Sequence, residues 1–356
     1  MASLLRWTVL RSTVLRSTVL ACLAGAAGPA LAAEQITFVS QGGAYQQAQT
    51  KAILDPAAKA LGITINQDSA PDAWPVIRTQ GATGKPTWDV VDTPTQDCVR
   101  GGKAGLIEKL DFAKIPNAAA IPAEYKTEYS VPYEFYSSVL AYNKSKYGKN
   151  PPQSWADFWD VKKFPGARAL RNHPFATLEA ALMADGVAPD KLYPLDVDRA
   201  FRKLEQIKPH IAVWWTSGGQ SALLIQGGEV DMEMIWNGRV SAVMEAGADA
   251  DYTFNQGVLQ NTSLCILKNA PNLATAVRFV NEAIDPKLQA NLPLNIPYGP
   301  GNPAAFDTGI IPASLAAKLP SAPENAKKQA VLSAEWWTSE AGDAALKRWA
   351  DFVQKK

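Results

Sequence analysis

The sequence contains few of the residues that most often carry enzyme or metal chemistry. It has two histidines, His173 and His210, and neither belongs to an H-E-x-x-H motif. No pair of cysteines has the spacing of a zinc site, and no G-x-S-x-G elbow for a nucleophilic serine occurs. The segment that ends in Gly84 and Lys85 is not a phosphate-binding loop, because Thr79 replaces its first glycine. We therefore expect no metal ion, no cofactor and no catalysis.

The sequence also lacks an excess of charge of either sign. Its 35 lysines and arginines are balanced by 34 aspartates and glutamates. Nucleic acids and anionic lipid surfaces attract strongly basic proteins. The composition therefore gives no reason to expect either of them as a partner.

No apolar run in the sequence is long enough to span a bilayer, which takes about 20 consecutive residues. The short apolar core that opens at Val19–Leu23 is soon interrupted by glycines and a proline. Three arginines precede this core and Ala30-Leu31-Ala32 follows it, as in an export signal with its cleavage site. We predict that residues 1–32 are a signal peptide cleaved after Ala32; a retained N-terminal anchor is the alternative.

Cysteine is scarce, with three residues in the whole sequence. Cys22 lies inside the predicted signal, where it faintly resembles a lipoprotein box. A lipid anchor there is the weaker interpretation, because the cleavage site at Ala32 competes with it. Cys98 and Cys265 remain after cleavage, and export to an oxidising space permits a disulfide between them. Two separate buried thiols are an equally good interpretation.

The rest of the sequence alternates between strand-like and helix-like segments, which is typical of layered α/β proteins. Ile36–Ser40 and Val230–Trp236 are predicted strands, and the second alternates polar and apolar residues. The clearest predicted helix begins after Asp196, its cap, and is stopped by Pro209. No low-complexity linker divides the 324 residues left after cleavage. A chain with two domains must therefore cross between them inside ordered strands.

The most informative pattern lies in residues 131–166. Val131-Pro132 is a stiff, extended entry, Ser138–Tyr142 is an apolar, β-rich run, and Ser154 can cap a short helix. Three further segments, distinctive together through their order and spacing, follow along the chain: Gln226–Asp231, Met234–Gly238 and Ile296–Asn302. From residue 38 to about residue 349, the sequence resembles the type II periplasmic solute-binding proteins of the spermidine/putrescine-binding family.

The resemblance implies an α/β, two-lobed periplasmic binding protein type II fold, with a ligand cleft between lobes that hinge crossovers join. Residues 33–141 plus 264–356 would form lobe 1, and residues 142–263 would form lobe 2. It implies a periplasmic, monomeric receptor of an ABC importer, which delivers a small-molecule ligand to inner-membrane permease subunits. Delivery to a chemoreceptor or sensor kinase stays open. A periplasmic hydrolase or transferase on the same fold is the alternative of another class.

The sequence departs from the polyamine-binding pattern at positions that decide the ligand. The resemblance implies an aspartate where Asn261 and Thr262 stand, and acidic residues near Asn172 and His173. None of these residues is a carboxylate. A diammonium ligand that leaves water needs such partners, because an isolated buried ammonium costs several kcal/mol. We therefore disfavour spermidine or putrescine and keep a polyamine receptor as the alternative.

Two arginines are new to the family site. Arg239 follows Trp236-Asn237-Gly238 at the start of a predicted helix, and Arg171 lies on a neighbouring loop. A guanidinium offers a rigid, bidentate fork for a carboxylate, and a helix N-terminus adds positive potential. We therefore predict a ligand with a carboxylate, such as an amino acid or a γ-aminobutyrate-like zwitterion.

The ammonium end of such a ligand has several candidate partners. Trp236 and Tyr298, kept from the family pattern, suit a cation–π contact, whereas Glu134 or Asp92 offers a carboxylate. Loop residues such as Gln41 can supply further polar contacts. The predicted ligand-binding residues are Tyr45, Thr93, Glu134, Arg171, His173, Trp236, Arg239, Thr262 and Tyr298.

Structural roles are the alternatives for several of these residues. Arg239 can simply pair with Glu233 or Glu245. Glu134 can orient the hinge without touching a ligand. His173 is the one candidate for a pH-sensitive contact, and its alternative is a neutral hydrogen-bonding group.

Overall fold

A mixed β-sheet runs through residues 34–70 and 72–354, the part of the chain that this computed structural model describes. Its strands are β1 Gln35–Ser40, β2 Thr64–Ser69, β3 Val90–Pro94, β4 Val131–Asn143, β5 Arg168–Arg171, β6 Ile211–Trp215, β7 Met232–Trp236, β8 Ala250–Ile266, β9 Gly299–Pro300 and β10 Ala330–Val331. Eight of them follow the order β2-β1-β3-β8-β4-β7-β5-β6, while β10 pairs with β8 and β9 with β4. The predicted signal peptide and Cys22 lie outside the described residues.

Helices connect these strands, as the α/β prediction requires. They are α1 Gly43–Gln49, α2 Asp55–Leu61, α3 Trp74–Thr83, α4 Thr95–Lys103, α5 Lys144–Tyr147, α6 Trp155–Trp159, α7 Thr177–Ala184, α8 Val197–Ile207, α9 Gly218–Gln226, α10 Asn237–Glu245, α11 Leu273–Ala283, α12 Pro286–Asn291, α13 Ala313–Ala316, α14 Pro323–Ala326, α15 Ala334–Trp337 and α16 Glu340–Gln354. A π-helix, Thr50–Leu54, joins α1 to α2. Short 3-10 helices lie at Phe112–Lys114, Pro116–Ala120, Ala123–Tyr125, Pro189–Lys191, Lys208–His210 and Pro303–Thr308. Within the described ranges, no helix combines the length and apolarity needed to cross a bilayer.

Two strands at the centre of the sheet are much longer than the others. β4 has 13 residues and β8 has 17, which at about 3.3 Å per residue gives lengths of about 40 and 55 Å. They pair antiparallel, and their register shifts between Pro132 and Glu134 and again between Ser138 and Leu140. β1, β2 and β3 extend the sheet on one side of this pair, and β5, β6 and β7 extend it on the other. β4 and β8 are therefore the ordered crossings that the lack of a linker predicts.

Helix boundaries follow the predicted caps. The Asp196 carboxylate accepts a hydrogen bond from the Arg199 backbone N–H at 3.0 Å, and α8 begins at Val197. The Ser154 hydroxyl likewise accepts from the backbone N–H of Asp157 at 3.2 Å, at the start of α6. These contacts satisfy backbone donors that the first helical turn leaves free. Both predicted helix starts are confirmed.

Buried apolar side chains form two groups along the sheet. The first group surrounds β1 and β3 and draws its members from residues 36–133 and 264–292. The second surrounds β5 and β7 and is built mainly from residues 139–258. The two predicted lobes would each contain one of these groups, and their boundaries remain a prediction.

The C-terminal segment packs differently from the prediction that residues 264–356 belong to lobe 1. Trp337, Trp349 and Phe352 are buried in the second apolar group. The indole N–H of Trp349 also donates to the side-chain oxygen of Asn172 at 3.2 Å. A division that assigns residues 330–354 to lobe 2 fits this packing better.

A disulfide links Cys98 of α4 to Cys265 of β8, with their Cα atoms 5.9 Å apart. Both cysteines are fully buried, and Cys265 pairs with Val91 of β3 in the sheet. Of the two interpretations left open by the sequence, the structure contains the disulfide. It ties the first turns of α4 to the strand that runs beside β3.

Candidate functional site

A cavity of about 300 Å³ is lined by residues from both groups of strands. This volume lies at the small end of the range for small-molecule sites, about 300–1,000 Å³. Its walls are formed by Gln41, Tyr45, Ala70, Asp72, Ala73, Asp92, Thr93, Pro94, Asp97, Glu134, Tyr136, Arg171, Trp236, Arg239, Thr262 and Tyr298. The cavity can therefore hold a small polar solute.

The first wall is built from three adjacent strands, β3, β8 and β4. Thr262 of β8 lies opposite both Pro94 of β3 and Glu134 of β4. Asp92 lies two residues before Pro94, and side chains two apart on a strand share a face. The side chains of Asp92, Thr262 and Glu134 therefore meet on one face of the sheet.

The second wall stands where two parallel strands end. Arg171 is the last residue of β5, and Trp236 is the last residue of β7, the strand that pairs with β5 in parallel. Arg239 follows in the first turn of α10. Open α/β sheets bind ligands at the carboxyl ends of such strands. The local fold therefore brings both arginines to the edge where a ligand is expected.

Neither cavity arginine has an acidic partner among the described residues. No carboxylate oxygen there lies within 4.0 Å of the guanidinium of Arg171 or Arg239, and neither guanidinium donates a hydrogen bond. Arg171 lies over the ring of Trp236 at 5.1 Å and is desolvated, which lowers its pKa. A guanidinium nevertheless stays charged in proteins. The predicted alternative, an ion pair of Arg239 with Glu233 or Glu245, does not form.

The opposite wall carries two deeply buried carboxyl groups. Asp92 is 1% exposed and Glu134 is 3% exposed. Burial raises the pKa of Asp92, and burial together with the nearby Asp92 raises the pKa of Glu134 well above its ordinary value. Asp92 Oδ2 accepts hydrogen bonds from Ser40, Tyr45 and Gln49 at 2.7–3.0 Å. By contrast, Asp92 Oδ1 and Glu134 Oε2 are buried without a partner in the described residues.

Aromatic side chains line the space between these walls. The ring of Tyr298 meets that of Tyr45 edge-on at 5.9 Å, and Tyr136 meets Trp236 at 6.2 Å. The indole N–H of Trp236 is buried without an acceptor among the described residues. A Cβ atom at Gly238 would lie 2.7 Å from a ring carbon of Tyr298, so this position requires a glycine. The cavity thus offers ring faces and one unused donor as well as charge.

The structure brings eight of the nine predicted ligand-binding residues into the cavity wall. They are Tyr45, Thr93, Glu134, Arg171, Trp236, Arg239, Thr262 and Tyr298. Asp92 and Gln41, which the sequence suggested as further polar contacts, also lie there. Contact of each residue with a ligand remains a prediction.

His173 is the exception and does not line the cavity. Its Nδ1 accepts a hydrogen bond from the Phe175 backbone N–H at 3.2 Å, and its ring packs on that of Phe175. Burial and the neighbouring Arg171 lower the pKa of His173 to about 3. The imidazole is therefore neutral at physiological pH, which favours the alternative of a hydrogen-bonding group over a pH-sensitive contact.

Several cavity residues were missed by the sequence interpretation. Asp72 and its neighbours follow β2, and Asp97 lies in the first turn of α4 after β3. Both places lie at the carboxyl ends of parallel strands, a signal that could have identified them. Asp97 accepts a hydrogen bond from Thr93 at 3.1 Å, and burial raises its pKa to about 6. The other residues missed are Ala70, Ala73, Pro94 and Tyr136.

Comparison with known proteins gives a family match over most of the chain. Residues 52–326 match the family described as bacterial extracellular solute-binding protein. The gamma-aminobutyric acid-binding protein of Pseudomonas aeruginosa strain PAO1 is 34% identical over 320 residues, covering 88% of this chain and 90% of that protein. The spermidine/putrescine-binding periplasmic protein of Escherichia coli strain K12 is 26% identical over 227 residues, covering 61% of this chain and 64% of that protein.

A solved structure resembles the whole described fold. The crystal structure of an ABC transporter substrate-binding protein from Bradyrhizobium japonicum USDA 110 is 73% identical in sequence. It superposes with a TM-score of 0.87, covering 90% of this chain and 100% of that one. The predicted resemblance to type II periplasmic binding proteins and the α/β fold class are confirmed.

Proposed function

We propose that the ligand of this chain, which belongs to the bacterial extracellular solute-binding protein family, is a small zwitterion whose carboxylate binds Arg171 and Arg239. The chain is the solute-binding receptor of an ABC-type importer. The family consists of solute-binding proteins and not of enzymes. The partners that follow are a small-molecule ligand and a membrane permease.

The observation that carries the ligand proposal is the pair of unpaired guanidinium groups in one small cavity. Arg171 is half-buried and Arg239 is exposed, and neither has an acidic partner within 4.0 Å in the described part of the chain. Two positive charges that face one cavity favour an anionic ligand there. A carboxylate can accept two parallel hydrogen bonds from each guanidinium fork. A ligand carboxylate would therefore supply the partner that the described residues do not. The γ-aminobutyrate ligand of the Pseudomonas relative has such a group.

A polyamine is the second candidate, because one specific observation favours it. Asp92 and Glu134 form an acidic wall that an ammonium group could occupy. The second ammonium of putrescine or spermidine would then approach Arg171 and Arg239, which repel it. The identity of 26% to the polyamine-binding relative is also lower than the 34% to the γ-aminobutyrate-binding one. We therefore favour the zwitterion.

We further propose that the protein is exported to the periplasm, loses residues 1–32 by cleavage after Ala32, and acts as a monomer. The relative from Escherichia coli is periplasmic, and the arginine-rich start with its Ala30-Leu31-Ala32 site supports export. Intact-mass measurement on protein taken from the periplasm would locate the cleavage site. Sedimentation of the same sample would establish the oligomeric state.

The ligand proposal is tested by calorimetric titration and thermal shift with 4-aminobutyrate, glutamate and putrescine. We expect a carboxylate-bearing compound to bind and to raise the melting temperature. Arg239→Ala should weaken that binding by about 1.5 kcal/mol or more, which is about 10-fold, because it removes a charged hydrogen-bond donor to the ligand carboxylate.

Arg278→Ala is the matched control, because Arg278 pairs with Glu34 at the surface, away from the cavity. It should leave the affinity unchanged. Stabilisation by putrescine with no effect of the amino acids would contradict the proposal. Release of a chemically altered product during the titration would instead favour the hydrolase or transferase alternative.

A further inference from the structure

We propose that Asp92, Glu134 and Thr262 form a site for a primary ammonium group, so that the ligand carries its amine and its carboxylate at opposite ends. This inference rests on the proposed function, which supplies the carboxylate end. It adds the chemical class of the other end. It also predicts that a quaternary amine or an α-amino acid binds more weakly than an ω-amino acid.

The first argument is the set of buried oxygen atoms that lack partners. Asp92 Oδ1, Glu134 Oε2 and the Thr262 hydroxyl oxygen are buried and have no hydrogen-bond partner in the described part of the chain. The other oxygen of Asp92 is already saturated by three donors. Buried polar atoms in folded proteins are nearly always hydrogen-bonded, so three orphans on one cavity wall indicate a missing donor group.

The second argument is the arrangement of the three oxygens. The sheet register places Asp92, Thr262 and Glu134 on one face of β3, β8 and β4, so their side chains converge from three neighbouring strands. A primary ammonium has three N–H donors, one for each of these acceptors. A trimethylammonium group has none and is larger. The site therefore suits a primary amine, which can donate to both carboxyl groups while the Thr262 hydroxyl turns to accept from it or to donate to Asp92.

The third argument is charge. Two carboxyl groups that face the same buried space repel one another when both are ionised. A cation between them removes that repulsion and replaces the water that burial has taken away. No lysine, arginine or histidine of the described chain lines this end of the cavity within ion-pair distance of either carboxylate. A ligand is then the source of the missing positive charge.

The fourth argument concerns the distance between the two charged ends. Tyr136 and Tyr298 line the same cavity as Arg171, Arg239 and Glu134. The ring of Tyr136 meets that of Trp236 at 6.2 Å, and Arg171 lies over the Trp236 ring at 5.1 Å. The guanidinium groups are themselves more than 4.0 Å from any described carboxylate. We therefore expect a ligand with its amine at one wall and its carboxylate at the other to bind more tightly than one whose two groups share a carbon.

The experiment is calorimetric titration of the processed protein with matched compounds. 4-Aminobutyrate and 2-aminobutyrate have the same atoms, 4-(trimethylammonio)butyrate blocks the amine, and butyrate lacks it. 3-Aminopropanoate and 5-aminopentanoate test chain length. We expect one of the ω-amino acids to bind at least about 30-fold more tightly than 2-aminobutyrate, butyrate or the trimethyl compound.

Variants assign the effect to the acidic wall. Glu134→Gln and Asp92→Asn should each weaken the best ω-amino acid by about 10-fold or more and leave the weak binding of butyrate unchanged. Glu233→Gln is the matched control, because Glu233 is equally buried and unpartnered but does not line the cavity. It should not change the affinity.

The outcomes separate this inference from the proposed function. If Arg239→Ala weakens every carboxylate ligand but 2-aminobutyrate or the trimethyl compound binds as well as the ω-amino acids, only the ammonium site is wrong. The ammonium site alone is also wrong if the Glu134→Gln and Asp92→Asn variants fold and bind the ω-amino acid as tightly as the parent does. If no carboxylate-bearing compound binds, or if only putrescine does, both proposals are overturned. The compound series decides even if an acidic variant fails to fold.

Discussion

Glu233 provides a direct test of the electrostatic reasoning, because it is a buried carboxyl outside the cavity. It lies in β7, fully buried, between the register positions of Ala141 and Ala169. Neither of its oxygens has a hydrogen-bond partner in the described residues. Burial raises its pKa from 4.5 to about 9. The folded protein therefore holds a neutral carboxylic acid here at physiological pH.

The sign of the effect on stability follows from the two protonation states. In the unfolded chain Glu233 loses its proton near pH 4.5, whereas in the folded protein it keeps the proton up to about pH 9. The folded state binds more protons throughout this window, so the free energy of unfolding falls as the pH rises through it. Each pH unit costs about 1.4 kcal/mol, so the single group costs about 4 kcal/mol between pH 5 and pH 8.

Glu233→Gln keeps the shape of the side chain and removes its titration. We expect the variant to have nearly the parent's stability at pH 5 and to be more stable by about 3–4 kcal/mol at pH 8. Urea unfolding, monitored by tryptophan fluorescence at several pH values, measures the free energy of unfolding of the parent and of the variant. Glu229→Gln, which replaces an exposed carboxyl, is the control and should keep the parent's pH dependence. Parallel pH profiles for the parent and Glu233→Gln would refute the reasoning.

Two further predictions concern the disulfide and the contact between Gly238 and Tyr298. Replacing Cys98 and Cys265 by serine opens a loop of 167 residues and should lower the free energy of unfolding by up to about 5 kcal/mol, measured by urea unfolding. The reduced parent is the control and should be as unstable as the variant. Equal stability of the variant and the oxidised parent would contradict the prediction. Gly238→Ala should weaken ligand binding about 10-fold, because its Cβ would displace the Tyr298 ring by direct contact. Gly219→Ala, with no atom within 4 Å of the added methyl, should bind normally in the same titration, and equal losses in both variants would contradict the contact.

The positive wall of the cavity could be predicted because its residues follow a local rule. Arg171, Trp236 and Arg239 stand directly at or after strand ends, and strand ends can be recognised from apolar runs followed by turn residues. Ligand sites of open α/β sheets lie at those ends. The family pattern identified the place of Trp236, and the positions of Arg171 and Arg239 at neighbouring strand ends follow the same local rule.

The negative wall depends on pairing between distant strands and could be predicted only in part. Glu134 and Asp92 were candidates by their motifs, but no local pattern shows that Thr262 lies opposite Glu134. Asp72 and Asp97 were missed although they follow the carboxyl ends of β2 and β3, where the same strand-end rule could have identified them. His173 was predicted to touch ligand from its place near Arg171, yet its ring packs on Phe175 instead. The side chain of a residue that is close in sequence to a site residue need not point into the same cavity.

The C-terminal residues show the same limit for the core. The aromatic character of Trp337, Trp349 and Phe352 indicates that they are buried, but it does not indicate the partner. The family map assigned them to lobe 1, whereas they pack with Phe201 and Leu204 in the second apolar group. Amphipathic patterns determine which face of a helix is covered and leave its neighbour to be decided by the whole fold.

The central pair of long strands has a consequence for how this protein acquires its shape. Val131 of β4 pairs with Leu264 of β8, and Tyr136 pairs with Gln260, so the middle of the sheet joins parts of the chain that are synthesised far apart in time. The two halves of the sheet cannot be joined before β8 has been synthesised, because β8 lies between β3 and β4. Structures dominated by such remote pairings form slowly. We therefore expect the polypeptide to complete its sheet late, after most of its length has been synthesised.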